Sequence, residues 1–202
     1  MNKVCILGSM NMDLVIGVNN TPRVGETILA NSFEKIPGGK GANQAVAAKR
    51  CGAEVYMISK IGNDENGVIL KDKLIEDNIN VDYVFEDDVE STGMAFITVN
   101  KEGDNSIIVV SGSNKKLTEK EINIAEEAIK KSNIIIAQLE TSEEMTLKAF
   151  VKAKDFGKIT ILNPAPAKKI DKELLKYIDI IIPNETMYSN ARTMIASARR
   201  GF

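Results

Sequence analysis

Apolar residues in this chain gather in short unbroken runs: Val4 to Leu7, Val55 to Ile58, Ile134 to Ala137, Ile159 to Leu162 and Ile178 to Ile182. A strand that is apolar at every position is buried on both faces, as in a parallel sheet covered by helices. Between the runs the apolar spacing becomes helical. Over Thr118 to Lys131, Ile122, Ala125 and Ile129 form one stripe, and Thr118 with Glu121 has the T-x-x-E form of a capping box. Thr141 and Glu144 repeat that form before a helix with Met145, Ala149 and Ala153 on its stripe and Gly157 as its left-handed stop. Strand and helix alternate, which predicts an α/β three-layer sandwich around a mainly parallel sheet.

Two stretches depart from that alternation. Glu26 to Ile36 and Thr92 to Val110 read as strands, and Ala95 to Val99 and Ile107 to Val110 are joined by the turn Asn100-Lys-Glu-Gly-Asp-Asn105. They predict a small antiparallel sheet outside the main one, with lid strands at about 15–36 and 92–110. One face of such a sheet has no helix to cover it, so it serves as a lid over a ligand or as a dimer surface. No internal repeat or low-complexity segment is present.

At 202 residues, 44% hydrophobic and 27% charged, the composition is that of a soluble globular protein with one large domain and an insertion. A net charge of -2 gives no basic field, which argues against nucleic-acid or anionic-membrane partners and toward a small molecule. Cys5 and Cys51 lie in apolar segments without CxxC spacing, so both are expected to be buried thiols. The opening Met1-Asn-Lys-Val-Cys-Ile-Leu7 is too short to span a membrane and lacks a cleavage pattern, so the expected compartment is the cytoplasm. Histidine is absent, which excludes Ser-His-Asp and Cys-His catalysis and leaves carboxylates, lysines, backbone amides or a cation.

Candidate chemistry lies at the ends of the apolar runs. Gly8-Ser-Met-Asn-Met-Asp13 places Asn11 and Asp13 two apart, on one side of an extended backbone, offering an amide and a carboxylate to sugar hydroxyls. The plain alternative is an Asx turn leaving the strand. Pro37-Gly-Gly-Lys-Gly-Ala-Asn-Gln44 leads into an alanine-rich helix, whose N-terminal N–H groups would face hydroxyl or phosphate oxygens. It matches neither Walker A nor GxGxxG spacing. A tight turn with close helix–sheet packing accounts for its glycines but not for Lys40 and Asn43. Gln138-Leu-Glu140, Asn163-Pro-Ala-Pro-Ala167 and Pro183-Asn-Glu185 each put a carboxylate or amide at a further strand end.

Taken together with Gly25-Glu26-Thr27, Gly62-Asn-Asp64, Ser91-Thr-Gly93 and Pro183-Asn-Glu-Thr186, these motifs resemble the ribokinase branch of the PfkB carbohydrate kinase family. The resemblance runs from about Lys3 to Thr186, so residues 1–186 are expected to form the N-terminal part of a ribokinase-like domain. It implies a doubly wound sheet with a β lid. The implied activity is ATP-dependent phosphorylation of D-ribose at its 5-hydroxyl, with Mg²⁺ and an activating monovalent cation such as K⁺. The implied sugar site comprises Asn11, Met12, Asp13, Gly39, Lys40, Gly41, Ala42, Asn43 and Glu140, with Ala95 of the lid closing over it. Asn184 is placed on the ATP side, and a homodimer through the lid is implied.

The pattern also breaks. The acidic position of the family's N-x-x-E is Met187 here, and Gly-Ala-Gly-Asp, which supplies the family's base and anion hole, occurs nowhere in the sequence. No residue is therefore assigned as catalytic base, and most of the ATP and cation sites are expected to be missing. Residues 187–202, with Arg192, Arg199 and Arg200 and no acidic residue, do not resemble the family. A frameshift or truncation near Met187 is the expected origin. Two alternatives remain: a non-catalytic sugar-binding or dimerisation fragment, and a kinase of the same family for another sugar or a nucleoside.

Overall fold

Residues 2–184 are described by the structure, a computed structural model. Glu185 and Thr186 of the last family motif and the 187–202 tail lie outside the described residues. The chain opens with β1 (Lys3–Leu7), β2 (Asn11–Gly17), β3 (Ser32–Gly38), α1 (Lys40–Arg50), β4 (Glu54–Gly62), α2 (Glu65–Glu76) and β5 (Asn80–Asp87). Next come β6 (Gly93–Val99), β7 (Asn105–Val110), a 3₁₀ turn (Gly112–Lys115), α3 (Glu119–Ile124) and α4 (Glu126–Lys131). It continues through β8 (Ile134–Gln138), α5 (Glu143–Asp155), β9 (Ile159–Asn163), α6 (Lys172–Leu175) and β10 (Ile180–Ile181).

The main sheet has the order β10-β9-β8-β1-β4-β5, and every pairing in it is parallel. The chain winds from β1 outward to β4 and β5, then returns to build β8, β9 and β10 on the other side. The sheet is thus doubly wound, and β1 and β8 are neighbours where the winding reverses. Open α/β sheets bind ligands beyond the strand C-termini at that place.

Alternation along β1 explains its unbroken apolar run. Val4 and Ile6 join Val55, Met57, Ala45 of α1 and Leu70 and Leu74 of α2 in one core. Cys5 and Leu7 join Ile135, Ala137, Ile129 of α4 and Ala149 and Phe150 of α5 in the other. Burying each large apolar side chain stabilises the fold by roughly 1.5–3 kcal/mol, so both layers are held by the same few strands.

The capping box of Thr118 and Glu121 forms in both directions, although a break at Ala125 divides the expected helix into α3 and α4. The second box does not form. Ser142 caps α5 by accepting from the Met145 amide, so the position that a box requires to be acidic is held by Met145, one residue past Glu144. Thr141 is buried instead, its Oγ1 without a hydrogen-bond partner. Gly157 stands at φ 66° just past α5, as expected of a helix stop. Cys5 is buried, and burial pushes its thiol pKa up. Cys51 is exposed rather than buried, because it caps the outer end of α1.

The lid is a second sheet of order β3-β2-β6-β7. Its two outer pairs are antiparallel, but β2 and β6 run parallel, so it is mixed rather than antiparallel. Its first strand starts at Asn11, earlier than expected, because only Gly8, Ser9 and Met10 separate it from β1. The second expected strand begins at Ser32, and residues 18–31 contain no strand. Among the described residues, no helix is long and apolar enough to cross a membrane.

Candidate functional site

The tip of β1 meets the first turn of α1 through glycines. A Cβ on Gly41 would lie 2.5 Å from the Gly8 carbonyl carbon, and one on Gly8 would lie 2.6 Å from the Gly41 Cα. Gly39, at φ 95°, would bring a Cβ within 2.7 Å of the Asn11 nitrogen. Close packing therefore explains these glycines, as the plain reading of the motif held. It also seats Lys40 and Asn43 at the mouth of the β1–β8 crevice.

The first amides of α1 do not point at open space. The Lys40 N–H donates to Glu140 Oε2 (3.4 Å), the Gly41 N–H to Ser9 Oγ (3.4 Å) and the Ala42 N–H to the Ser9 carbonyl (3.0 Å). Ser9 Oγ in turn donates to Glu140 Oε2 at 2.5 Å, and Lys40 Nζ lies 3.1 Å from Glu140 Oε1. The expectation of free N–H groups at this helix end is corrected. A carboxylate from the β8 tip lies at this end, where its negative charge suits the Lys40 N–H that donates to it and the helix dipole.

Across the hollow, Asn11 and Asp13 alternate along β2 and project from one face of the lid. Asp13 stands opposite Ala95 in the sheet register, Ala95 opposite Val109, and the next row on that face is Val15, Ile97 and Ile107. The Asp13 carboxylate lies over Gly38, where a Cβ would come within 2.2 Å of Oδ2. No hydrogen bond from the described residues reaches its side chain. Burial raises the Asp13 pKa, as does the nearby Glu140 charge, against the pull of Lys40.

These walls enclose a cavity of about 130 Å³ lined by Asn11, Asp13, Gly39, Lys40, Asn43, Ala95, Ile97, Ile107, Val109 and Glu140. The hollow suits a small polar molecule lying beneath an apolar roof. Three residues expected in the site do not line it: Met12 and Ala42 belong to the buried core, and Gly41 packs on Gly8. Asn163, at the tip of β9, and Asn184, beyond β10, are also absent from the lining. Among the described residues, no group of three or more His, Cys, Asp or Glu side chains could hold a metal ion.

Sequence reasoning missed two contributors. Ser9 lies inside the first motif, yet it was not singled out although it joins α1 to Glu140. Asn114, in the 3₁₀ turn, is 2% exposed and reaches Met10 and Asn11 from a hundred residues away. The only local hint was Gly112-Ser-Asn114 directly after a lid strand. Its neighbour Lys115 donates to the Leu139 and Thr141 carbonyls on either side of Glu140, at 3.3 and 2.6 Å.

A doubly wound sheet with a polar hollow at its switch point, roofed by a small β sheet, defines a sugar-kinase type of architecture. The chain belongs to the pfkB family of carbohydrate kinases, whose pattern matches residues 1–189. It is 44% identical over 190 residues to a ribokinase of Staphylococcus aureus (strain COL), covering 92% of this chain and 61% of that protein. Identity to a Bacillus subtilis (strain 168) ribokinase is 39% over 185 residues, covering 92% and 63%. This chain therefore spans about three fifths of the length of these relatives. The structure of Arabidopsis thaliana ribokinase complexed with ribose and ATP superposes with a TM-score of 0.84 at 27% identity, covering 99% of this chain and 69% of that one.

Proposed function

We propose that the cavity is a pentose site, and that the whole polypeptide to which this sequence belongs transfers a phosphoryl group from ATP to D-ribose, giving D-ribose 5-phosphate. The observation that carries this reading is the convergence of Asn11, Asp13, Lys40, Asn43 and Glu140 on one hollow, with the half-buried Asp13 carboxylate unbonded within the described residues. A carboxylate and amides on facing walls suit the hydroxyls of a furanose, which donate to the first and exchange hydrogen bonds with the second. The apolar roof of Ala95, Ile97, Ile107 and Val109 keeps water from competing for the phosphoryl group.

On this reading Asn184 lies on the nucleotide side, and the phosphoryl donor is ATP with Mg²⁺ and an activating monovalent cation. Among the described residues no group of three or more His, Cys, Asp or Glu side chains is available to such an ion, so its ligands on this reading would include the phosphates of the nucleotide and water. No Gly-Ala-Gly-Asp base occurs in this sequence, and the role assigned to this chain is to bind and orient the sugar. A second copy covering the face of the lid turned away from the cavity suits its exposed Phe33, Phe96 and Ile108. The cytoplasm, where ATP and sugars meet, is the proposed setting.

Calorimetry with ribose, alongside ADP release from ribose and ATP, tests this reading. Saturable ribose heat without ADP is expected. Absence of ribose heat would overturn the pentose site, and turnover by chain free of contaminating kinase would overturn the purely binding role. Light scattering of the Ile108→Lys variant should show a monomer where the parent is dimeric.

A further inference from the structure

Asn114 sits where three groups of fixed polarity determine its orientation. Its Oδ1 accepts from the Met10 N–H (2.9 Å), and its Nδ2 donates to the Met10 carbonyl (3.2 Å). A backbone N–H can only donate and a carbonyl can only accept, so this pair settles which end of the Asn114 carboxamide is nitrogen. The same Nδ2 lies 2.8 Å from Asn11 Oδ1. Because Asn114 presents a donor there, Asn11 must answer with its oxygen. The Asn11 oxygen is thereby engaged within the protein, and its NH₂ group is left for the cavity that Asn11 lines.

Both side chains are buried, Asn114 at 2% exposure and Asn11 at 4%, so water does not readily substitute for either partner. Gly93 makes room for the contact. It pairs with Asn11 in the lid register, and a Cβ there would come within 2.1 Å of Asn114 Nδ2 and 2.3 Å of Asn11 Oδ1.

We propose that Asn114 is a positioning residue that fixes the Asn11 carboxamide as a hydrogen-bond donor to the sugar, so that the lid wall presents a donor at Asn11 and an acceptor at Asp13. Resting on the pentose reading of the cavity, this adds a polarity that the residue types alone leave open, since a freely turning amide serves equally as donor or acceptor. A hydroxyl facing Asn11 is then required to accept, and one facing Asp13 to donate.

A double-mutant cycle on ribose affinity tests the coupling. Asn114→Ala should weaken ribose binding about tenfold in the parent chain and by less than twofold in the Asn11→Ala background. Equal losses in both backgrounds would overturn the proposal. Side-chain amide exchange, followed by NMR in the parent and Asn11→Ala chains, needs neither ribose nor a folded Asn114→Ala variant. Asn11→Ala should release one Asn114 carboxamide proton at least tenfold while the proton bonded to the Met10 carbonyl keeps its protection. If neither proton changes, Asn114 does not hold Asn11 and the proposal fails. If the parent binds no ribose, the pentose reading fails separately, and the exchange result still decides whether Asn114 holds Asn11.

Discussion

Glu140 and Asp13 face the same hollow, but both oxygens of the first are engaged by the protein, whereas the second accepts no hydrogen bond from the described residues. Glu140 belongs to the scaffold wall, where the Ser9 hydroxyl, the Lys40 ammonium and the Lys40 N–H that opens α1 converge on it. Asp13 belongs to the lid wall, held over Gly38 and raised in pKa by burial. A carboxylate with its partners in place stabilises the fold, while one left half-buried without them costs stability until a ligand donates to it. The contrast separates a residue that builds the site from one that waits for its occupant.

The largest effect that would break this contrast is on binding. Asp13→Ala should lower ribose affinity about 100-fold by calorimetry, as expected when hydrogen bonds to a charged group are lost from a dry site. Gly38→Ala, which drives a methyl into the Asp13 carboxylate, should cost about tenfold in the same titration. Unchanged affinity in either variant would remove Asp13 from the site.

Stability should move in opposite directions for the two carboxylates. Glu140→Gln leaves Lys40 without its charge partner and weakens the cap of α1, for an expected loss of about 1–2 kcal/mol and a fall in Tm of about 3–6 °C. Asp13→Asn should instead raise Tm at neutral pH by about 2–4 °C. A raised folded-state pKa means that the Asp13 contribution to stability is fully present below the unfolded value, ~3.9, and is lost as pH rises through the folded value. The advantage of Asp13→Asn should therefore shrink on acidification and vanish below about pH 4. A constant advantage across pH would show that ionisation of Asp13 is not its source. Smallest of all, Glu65→Ala removes only a 3.8 Å surface pair with Lys35 and should change stability by less than ~0.5 kcal/mol.

Much of this arrangement was legible in the sequence, for physical reasons that differ by element. Apolar runs such as Val4 to Leu7 declare a strand buried on both faces, and Thr118 with Glu121 declares a helix start, because each signal is local. The Thr141–Glu144 spacing was equally local and misled, since Ser142 competes for the same cap and Thr141 was drawn into the core. Asn11, Asp13, Lys40, Asn43 and Glu140 were found from their motifs and meet in one cavity. Met12, Gly41 and Ala42 came with those motifs, although strand alternation and helix packing turn them away from the hollow. Asn114 was illegible because its partners Met10 and Asn11 are near it only after β6 pairs with β2. The mixed character of the lid was hidden for the same reason, since register between distant strands leaves no trace in either segment.

The central claim is that Asn11, Asp13, Lys40, Asn43 and Glu140 act as one pentose cradle, and a ¹⁵N NMR titration of the chain with ribose tests it most directly. Saturable shifts concentrated on the backbone amides of residues 11–13, 39–43, 95 and 140 are expected, with the remote helix α2 unmoved. Shifts gathered elsewhere while these amides stay still, or no shifts at all, would contradict it.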